Sequence, residues 1–442
     1  MTRRIQRLNI WMNGQYVGYW EKTRGEESLV YAQEWIENAQ GRPLSLSLPF
    51  TANNQVYRGN IVRDYFDNLL PDSDDIRRRL ATRYHADSIN PFDLLFELGR
   101  DCVGAIQLLA NDTPPADLFS IQQQPLTEHD VARILRNSWS DNTFVHPEHN
   151  EDLRLSIAGA QEKTALLFHD DRWCLPLGST PTTHIFKLPL GLVGNMQADM
   201  RTSVENEWLC AKILASYNLP VARSEIGQFE DQKALIVERF DRRLSRDNRW
   251  IVRLPQEDMC QASGTSPLKK YQMDGGLGIT TIMGILSGSD NASEDRNLFF
   301  KTQIIFWLLA ATDGHAKNFS IAHLPRNSYH LTPLYNVLST HPIIGSSHNQ
   351  IAIQKAKLAM AVRGSENHYL INQIQRRHWR KQAELVGLGA YLADSIIDEV
   401  ITATPRVIAQ IQAQLPANFP TDLAESILTG LHRQCDKIAA MP

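Results

Sequence analysis

The chain has 442 residues, of which 43% are hydrophobic and 21% charged, and a formal net charge of −4. This is an ordinary soluble globular composition with room for two or three domains, and the net charge argues against a chain built mainly to wrap nucleic acid while leaving room for a local basic face. The longest unbroken apolar run, residues 304–311, falls well short of the roughly 18 residues that a membrane helix needs, so no membrane partner is expected.

The opening, MTRRIQRLNIWMNG, has basic residues but no apolar segment behind them, so no secretory signal is read there. The strongest hairpin signal follows at once, with residues 8–12 and 15–20 flanking Asn13-Gly14. RPLSLSLPF (42–50) alternates with period two and predicts a strand. Residues 62–70 and 74–84 read as helices, with Pro71-Asp72-Ser73 as break and cap. Residues 91–109 read as a helix, a glycine turn and a strand. Residues 111–125 are polar and proline-rich, as in a linker, and 127–136 form a short helix.

A domain boundary is placed near residue 150. Beyond it come a turn and strand at 156–170, further strands at 171–177 and 183–190, an amphipathic helix at 203–217 and a strand at 233–242. From residue 258 helices dominate: a short one at 280–287, a long apolar one at 297–312, then a β-hairpin at 319–335 and helices across 370–435. The expected class is α+β. An N-terminal α+β domain (1–150) precedes a two-lobed catalytic region, with a β-rich nucleotide-binding lobe (151–257) and a helical lobe (258–442). Nucleotide sites commonly lie between such lobes.

The cysteines Cys102, Cys174, Cys210, Cys260 and Cys435 stand far apart and form no CxxC pair. A dense disulfide framework and a cysteine zinc site are excluded, and reduced thiols in a cytoplasmic setting are the simplest expectation. Chemistry concentrates instead in TDGHAKN (312–318). A kinase catalytic loop carries an Asp that accepts the substrate hydroxyl proton and, five residues on, a metal-binding Asn. Asp313 and Asn318 have that separation; a polar cap on the preceding helix is the competing explanation. Lys187, alone among apolar neighbours in a strand, suits a phosphate-binding lysine, with Glu205 or Glu207 as its helix partner, or else a solvent-facing strand lysine. The turn 157–163 offers backbone N–H groups to phosphate, although it matches neither G-x-G-x-x-G nor Walker A. RRHWRK (376–381) reads as a solvated helix face ahead of a DNA contact, and Gln256-Glu257-Asp258 as loop hydrogen-bonding groups.

Eight stretches in order, RPLSLSLP (42–49), FDNLLPDS (66–73), GRDCVGA (99–105), SIAGAQEKTAL (156–166), TPTTHIFKLP (180–189), VERFDRR (237–243), RLPQEDMCQ (253–261) and ATDGHAKNFS (311–320), make the chain resemble the HipA-type serine/threonine kinases, toxins of HipA–HipB modules. The resemblance implies ATP and magnesium as cofactors. It implies Asp313 as catalytic base and Asn318 as a magnesium ligand, and Lys187 as the ATP-phosphate lysine. Ala158, Gly159, Ala160, Gln161, Glu162 and Lys163 would form the phosphate loop. Glu238, Arg239 and Phe240 would line the adenine, with His315 and Tyr335 in the nucleotide pocket, and Ser156 would be the autophosphorylation site. Implied partners are a HipB-like helix-turn-helix antitoxin, operator DNA reached through it, and an aminoacyl-tRNA synthetase of the glutamyl type as substrate.

One position departs. The family motif LTPxYD reads LTPLYN (331–336) here, so Asn336 stands where a second, acidic magnesium ligand is expected. An Asn oxygen ligates magnesium without bringing charge, and hard cations prefer carboxylates. Depressed turnover is expected, and with it a second reading: an impaired kinase fold that acts as antitoxin partner and co-repressor.

Overall fold

The computed structural model describes residues 6–442 apart from 24, 111–113, 140–158 and 160. The boundary expected near residue 150, Ser156, Ala158 and Ala160 lie outside the described residues. The chain divides into two compact units, one built from Met1–Leu188, Gly227–Leu268 and Ser320–Tyr329, the other from Pro189–Ile226, Lys269–Phe319 and His330–Pro442.

In the first unit, strands Gln6–Met12 and Gln15–Lys22 form the expected hairpin. Asn13 and Gly14 both take positive φ (47° and 80°), as a tight primed turn requires. Glu27–Tyr31 and Tyr57–Arg58 extend this sheet on one side and Ile106–Leu109 on the other. Its inner face packs on the helices Asn60–Asp67, Asp74–Tyr84 and Pro91–Leu98 through a core in which Trp20 stacks on Phe66 at 4.0 Å. A second sheet carries, in order, Gln232–Glu238, His184–Lys187, Lys163–His169, Arg172–Pro176 and Gln123–Pro125. The helix Glu128–Trp139 covers it with Val131, Ala132 and Leu135.

The stretch 42–50 is not a strand. Leu44 and Leu48 are both buried and lie four apart, on one side of a turn closed by the Leu48 N–H on Ser45 O (3.1 Å). The serines explain the departure from period two. Ser45 and Ser47 donate to Gln261 O (3.0 and 2.7 Å), and the Leu46 N–H donates to the Glu257 carboxylate (2.9 Å). The Leu46 N–H that a sheet would pair is taken by a carboxylate, and the serine hydroxyls bind a backbone carbonyl instead. Glu257 itself is fully buried in the strand Gln256–Asp258 and hydrogen-bonds His323 Nε2 at 2.8 Å.

The second unit is mainly helical: Ser203–Ser216, Ile279–Leu286, Ala292–Leu308, Arg376–Leu385, Ala390–Gln414 and Thr421–Ala439. The hairpin of Lys357–Arg363 with Asn367–Leu370 accompanies them. Trp307, fully buried, donates its Nε1–H to Ile371 O (2.9 Å), and Tyr217 exchanges a hydrogen bond with Thr404 (2.6 Å). The basic run 376–381 is tied to its own unit: Arg376 binds Asp394 (2.8 Å) and Asp398 (2.6 Å), and Arg380 binds Asp394 (2.9 Å). No helix among the described residues is long and apolar enough to cross a membrane.

His341 is buried here, with Nε2 hydrogen-bonded to Leu308 O at 2.9 Å. Burial lowers its pKa to about 4, against the Leu308 bond and with help from Arg433. The unfolded chain takes up this proton near pH 6.5 and the folded chain does not. Unfolding therefore binds protons between those values, and stability falls as pH drops from about 6.5 toward 4. We expect the melting temperature to fall between pH 7 and pH 5 and His341→Gln to flatten that fall; an unchanged slope in thermal melts would refute it.

Candidate active site

The helix Ala292–Leu308 ends four residues before its sequence-based limit of 312, and its ending builds the loop that follows. The Ala311 N–H reaches back to Phe306 O (2.8 Å) and the Ala310 N–H to Trp307 O (3.2 Å). This is a Schellman ending with Ala310, not glycine, in the left-handed region at φ 48°. Such a residue is held at some cost in strain, and it turns the chain sharply into TDGHAKN. Gly314 follows because a Cβ there would sit 2.6 Å from the Phe306 ring.

Within the loop, Asp313 O accepts from the His315 N–H (2.8 Å) and from Asn318 Nδ2 (2.6 Å). The Asp313 carboxylate, about half exposed, accepts a hydrogen bond from the Tyr271 hydroxyl. His315 is buried edge-on against the Tyr271 ring and lies 3.8 Å from the same carboxylate. The Tyr335 hydroxyl donates to Lys317 O (2.9 Å), and Asn336 Nδ2 donates to Asn318 Oδ1 (2.9 Å). Asp313, His315, Asn318, Tyr335 and Asn336 are thus brought together within the second unit. A helix cap alone does not explain an outward carboxylate backed by a locked amide.

The stretch carrying Asn336 is pinned along its length. Asp295 accepts from the Leu331 N–H (2.9 Å). Leu334 exchanges backbone hydrogen bonds with Pro220 and Ala222 (2.8 and 2.9 Å), and Asn206 accepts from the Ser339 N–H and donates to Ser339 O (2.8 Å each). Tyr271, Asp295 and Asn206 were not singled out from sequence. No local pattern marks a buried Asp or Asn whose partners lie 36 and 133 positions away.

Magnesium fits this donor set poorly. Asn318 Oδ1 and the Asn336 amide are paired with each other as neutral groups, and the only carboxylate among the loop residues 312–318, that of Asp313, is engaged by Tyr271. A small hard cation favours carboxylate oxygen and near-octahedral geometry; the residue type at 336 supplies no charge.

In the first unit, Lys163 and Lys187 are direct cross-strand partners on Lys163–His169 and His184–Lys187. Lys187 is buried, not solvent-facing. Two cations placed opposite each other repel unless anions attend them. Gly159, at φ 115°, lies so close to Lys163 that a Cβ would meet its Nζ at 2.4 Å. Gln161 donates to Leu188 O, next to Lys187. Glu205 and Glu207 belong to the second unit, where both are buried.

The strand Gln232–Glu238 leaves Glu238 exposed and Phe240 half-buried beyond its end. Arg239 differs from the adenine-lining expectation. Its side chain turns inward and binds Asp241 through Nε and Nη2 (3.0 and 2.9 Å), Asp101 (3.3 Å) and Cys102 O (2.9 Å). Its N–H donates to Thr183 O (2.8 Å). The five cysteines are free and buried, and burial pushes the Cys102 thiol up to about 12, which leaves no reactive thiolate there.

The chain as a whole is similar to known proteins. A family model described as the HipA N-terminal domain matches residues 8–109, and one described as the HipA-like C-terminal domain matches residues 155–408. The protein Y4mE of Sinorhizobium fredii is 31% identical over 413 residues, 93% of this chain and 92% of that protein. The serine/threonine-protein kinase toxin HipA of Shewanella oneidensis is 26% identical over 400 residues, 87% and 84% of the two chains. The solved HipA of the Shewanella oneidensis MR-1 complex of HipA, HipB and operator DNA has the same fold, with a TM-score of 0.78 at 22% identity over 98% of each chain. Two family models that together span most of the sequence, one of them alone more than half of it, and a relative 31% identical over nearly the whole chain lead to one assignment: the chain belongs to the HipA family.

Proposed function

We propose that this chain is an ATP-dependent serine/threonine kinase of a toxin–antitoxin module, slowed by Asn336. The observation that carries the reading is the loop at 312–318: a half-exposed carboxylate that already accepts a hydroxyl hydrogen, held from behind by Asn318 on its own carbonyl. Asp313 is the base that takes the substrate hydroxyl proton. Lys163 and Lys187, with the turn that includes Gly159, Gln161 and Glu162, hold the phosphates. Glu238 and Phe240 are the groups proposed for the adenine, and His315 and Tyr335 those proposed for nucleotide binding within the second unit; Arg239 is left out because its side chain is engaged elsewhere. Such a site works by positioning and charge neutralisation, with little covalent chemistry of its own.

Ser156 is the proposed autophosphorylation site and an aminoacyl-tRNA synthetase of the glutamyl type the proposed substrate, a reading supported by family likeness alone. A HipB-like antitoxin, and operator DNA reached through it, are proposed partners because the Shewanella relative was solved in such a complex. The neutral amide at 336 favours a second reading, in which co-repression with the antitoxin outlasts weak catalysis. Incubation with ATP and magnesium, followed by mass spectrometry of the Ser156 peptide, tests the first. We expect a slow single-phosphate gain that Asp313→Asn reduces by about 10²–10⁴-fold, the usual worth of a general base. Equal rates in the two proteins would remove Asp313 from its role. No gain in either, with antitoxin-dependent gel shifts of operator DNA intact, would favour the second reading.

A further inference from the structure

We infer that the N-terminal domain positions the phosphate turn, through Arg79 and the backbone of Pro71 and Asp72; the functional meaning rests on the nucleotide-binding reading of that turn. The contact has two anchors three residues apart. Pro71 forms a parallel bridge with Gly159, and the Asp72 N–H donates to Gly159 O at 3.1 Å. Arg79 forms an ion pair with Glu162. Between the anchors lies Gln161, bound to Leu188 O beside Lys187.

The domain side of this contact is stiff. Arg77 donates to Pro71 O (2.6 Å) and pairs with Asp67 (2.8 Å), and Ser73 caps the helix Asp74–Tyr84 that carries Arg79. The turn side is soft by composition, since Gly159 at φ 115° occupies a region that glycine reaches cheaply and leaves as cheaply. A soft turn that must present its groups to phosphate loses conformational freedom on binding, and that loss weakens affinity. Fixing it beforehand from Pro71, Asp72 and Arg79 removes part of the loss. Arg79 is a positioning residue in this arrangement, and the N-terminal domain has a direct part in nucleotide binding.

The test is a double-mutant cycle of Arg79→Ala and Glu162→Gln in the full chain. The first readout is hydrogen exchange of the peptide covering 159–163 without nucleotide, the second the affinity for a non-hydrolysable ATP analogue, the third the melting temperature. Each single variant is expected to speed exchange and weaken analogue binding by about five- to tenfold, the double to add nothing further, as contacting residues do. The melting temperature stays unchanged, because Arg79 is about one-third exposed. Unchanged exchange in both singles, or additive effects in the double, would overturn the inference. If the wild-type chain binds no analogue, the nucleotide reading fails, while the exchange cycle still decides whether Arg79 holds the turn.

Discussion

Asn336→Asp is expected to raise phosphoryl transfer to Ser156 by about 10²–10³-fold, the scale of one well-placed electrostatic group in a transition state. The backbone accepts the change. Asn336 sits at φ 58°, a left-handed conformation that Asn and Asp tolerate alike. What changes is the meeting with Asn318. At present an amide N–H fills the space toward Asn318 Oδ1 at 2.9 Å; an Asp would set carboxylate oxygens there, with no hydrogen between them. Without a cation this costs about 1 kcal/mol for a lost hydrogen bond. With magnesium, the new carboxylate and Asn318 would supply oxygen ligands to it, and binding to the folded state would raise stability by mass action. The variant should melt lower than the parent in chelator and gain more from added magnesium. Equal phosphorylation rates, or no difference in the magnesium-dependent melting shift, would defeat the account of Asn336.

Asp101→Ala is expected to cost about 3–5 kcal/mol, the penalty for breaking a buried ion pair from one side. Asp101 accepts from Arg242 (2.9 Å), Arg239 (3.3 Å) and Arg253 (3.4 Å), and from the N–H and hydroxyl of Thr182 (3.0 and 2.8 Å). Among the described residues, Asp241 is the other carboxylate that binds Arg239 and Arg242, and it also accepts from the Gly104 N–H (2.7 Å). Removing Asp101 leaves three buried cations against one anion. Burial alone would push its carboxyl up, but the Arg242, Arg239 and Arg253 guanidiniums outweigh this and hold it well below the carboxylate range. Its stabilising contribution is therefore present above the unfolded value of about 3.9 and lost as pH falls below it. At about 2–4 °C per kcal/mol for a unit of this size, thermal melts should show a drop of many degrees at pH 7. A loss below about 1 kcal/mol would mean the cluster relaxes around the gap.

The polar turn at 312–318 was legible because its contacts are local: Asp313, Gly314, His315 and Asn318 serve one turn, and their spacing survives in a linear reading. The hairpin at Asn13-Gly14 was legible for the same reason. RPLSLSLPF misled because alternation is only a face pattern; which groups meet Ser45, Leu46 and Ser47 depends on Glu257 and Gln261, more than 200 residues away. Arg239 misled in a related way. In VERFDRR the strand ends at Glu238, and the next side chain turns inward toward Asp101, which belongs to a separate motif. The hairpin at 357–370 turns through Gly364-Ser365-Glu366, a three-residue loop with a glycine, and this signal was passed over inside a lobe read as helical.

The first unit closes late. Its strand Gln256–Asp258 pairs with Ser320–His323, and the buried Glu257 meets His323 only then. Roughly sixty residues separate these strands, which at about 5–20 residues per second is about 3–12 s of synthesis. Asp313 lies inside that interval. A growing chain on the ribosome therefore carries Asp313 before the unit that holds Lys163 and Lys187 is complete, and premature products that stop near residue 318 lack the strand Ser320–His323 that finishes that unit. The order of the polypeptide itself delays the moment at which the first unit becomes whole.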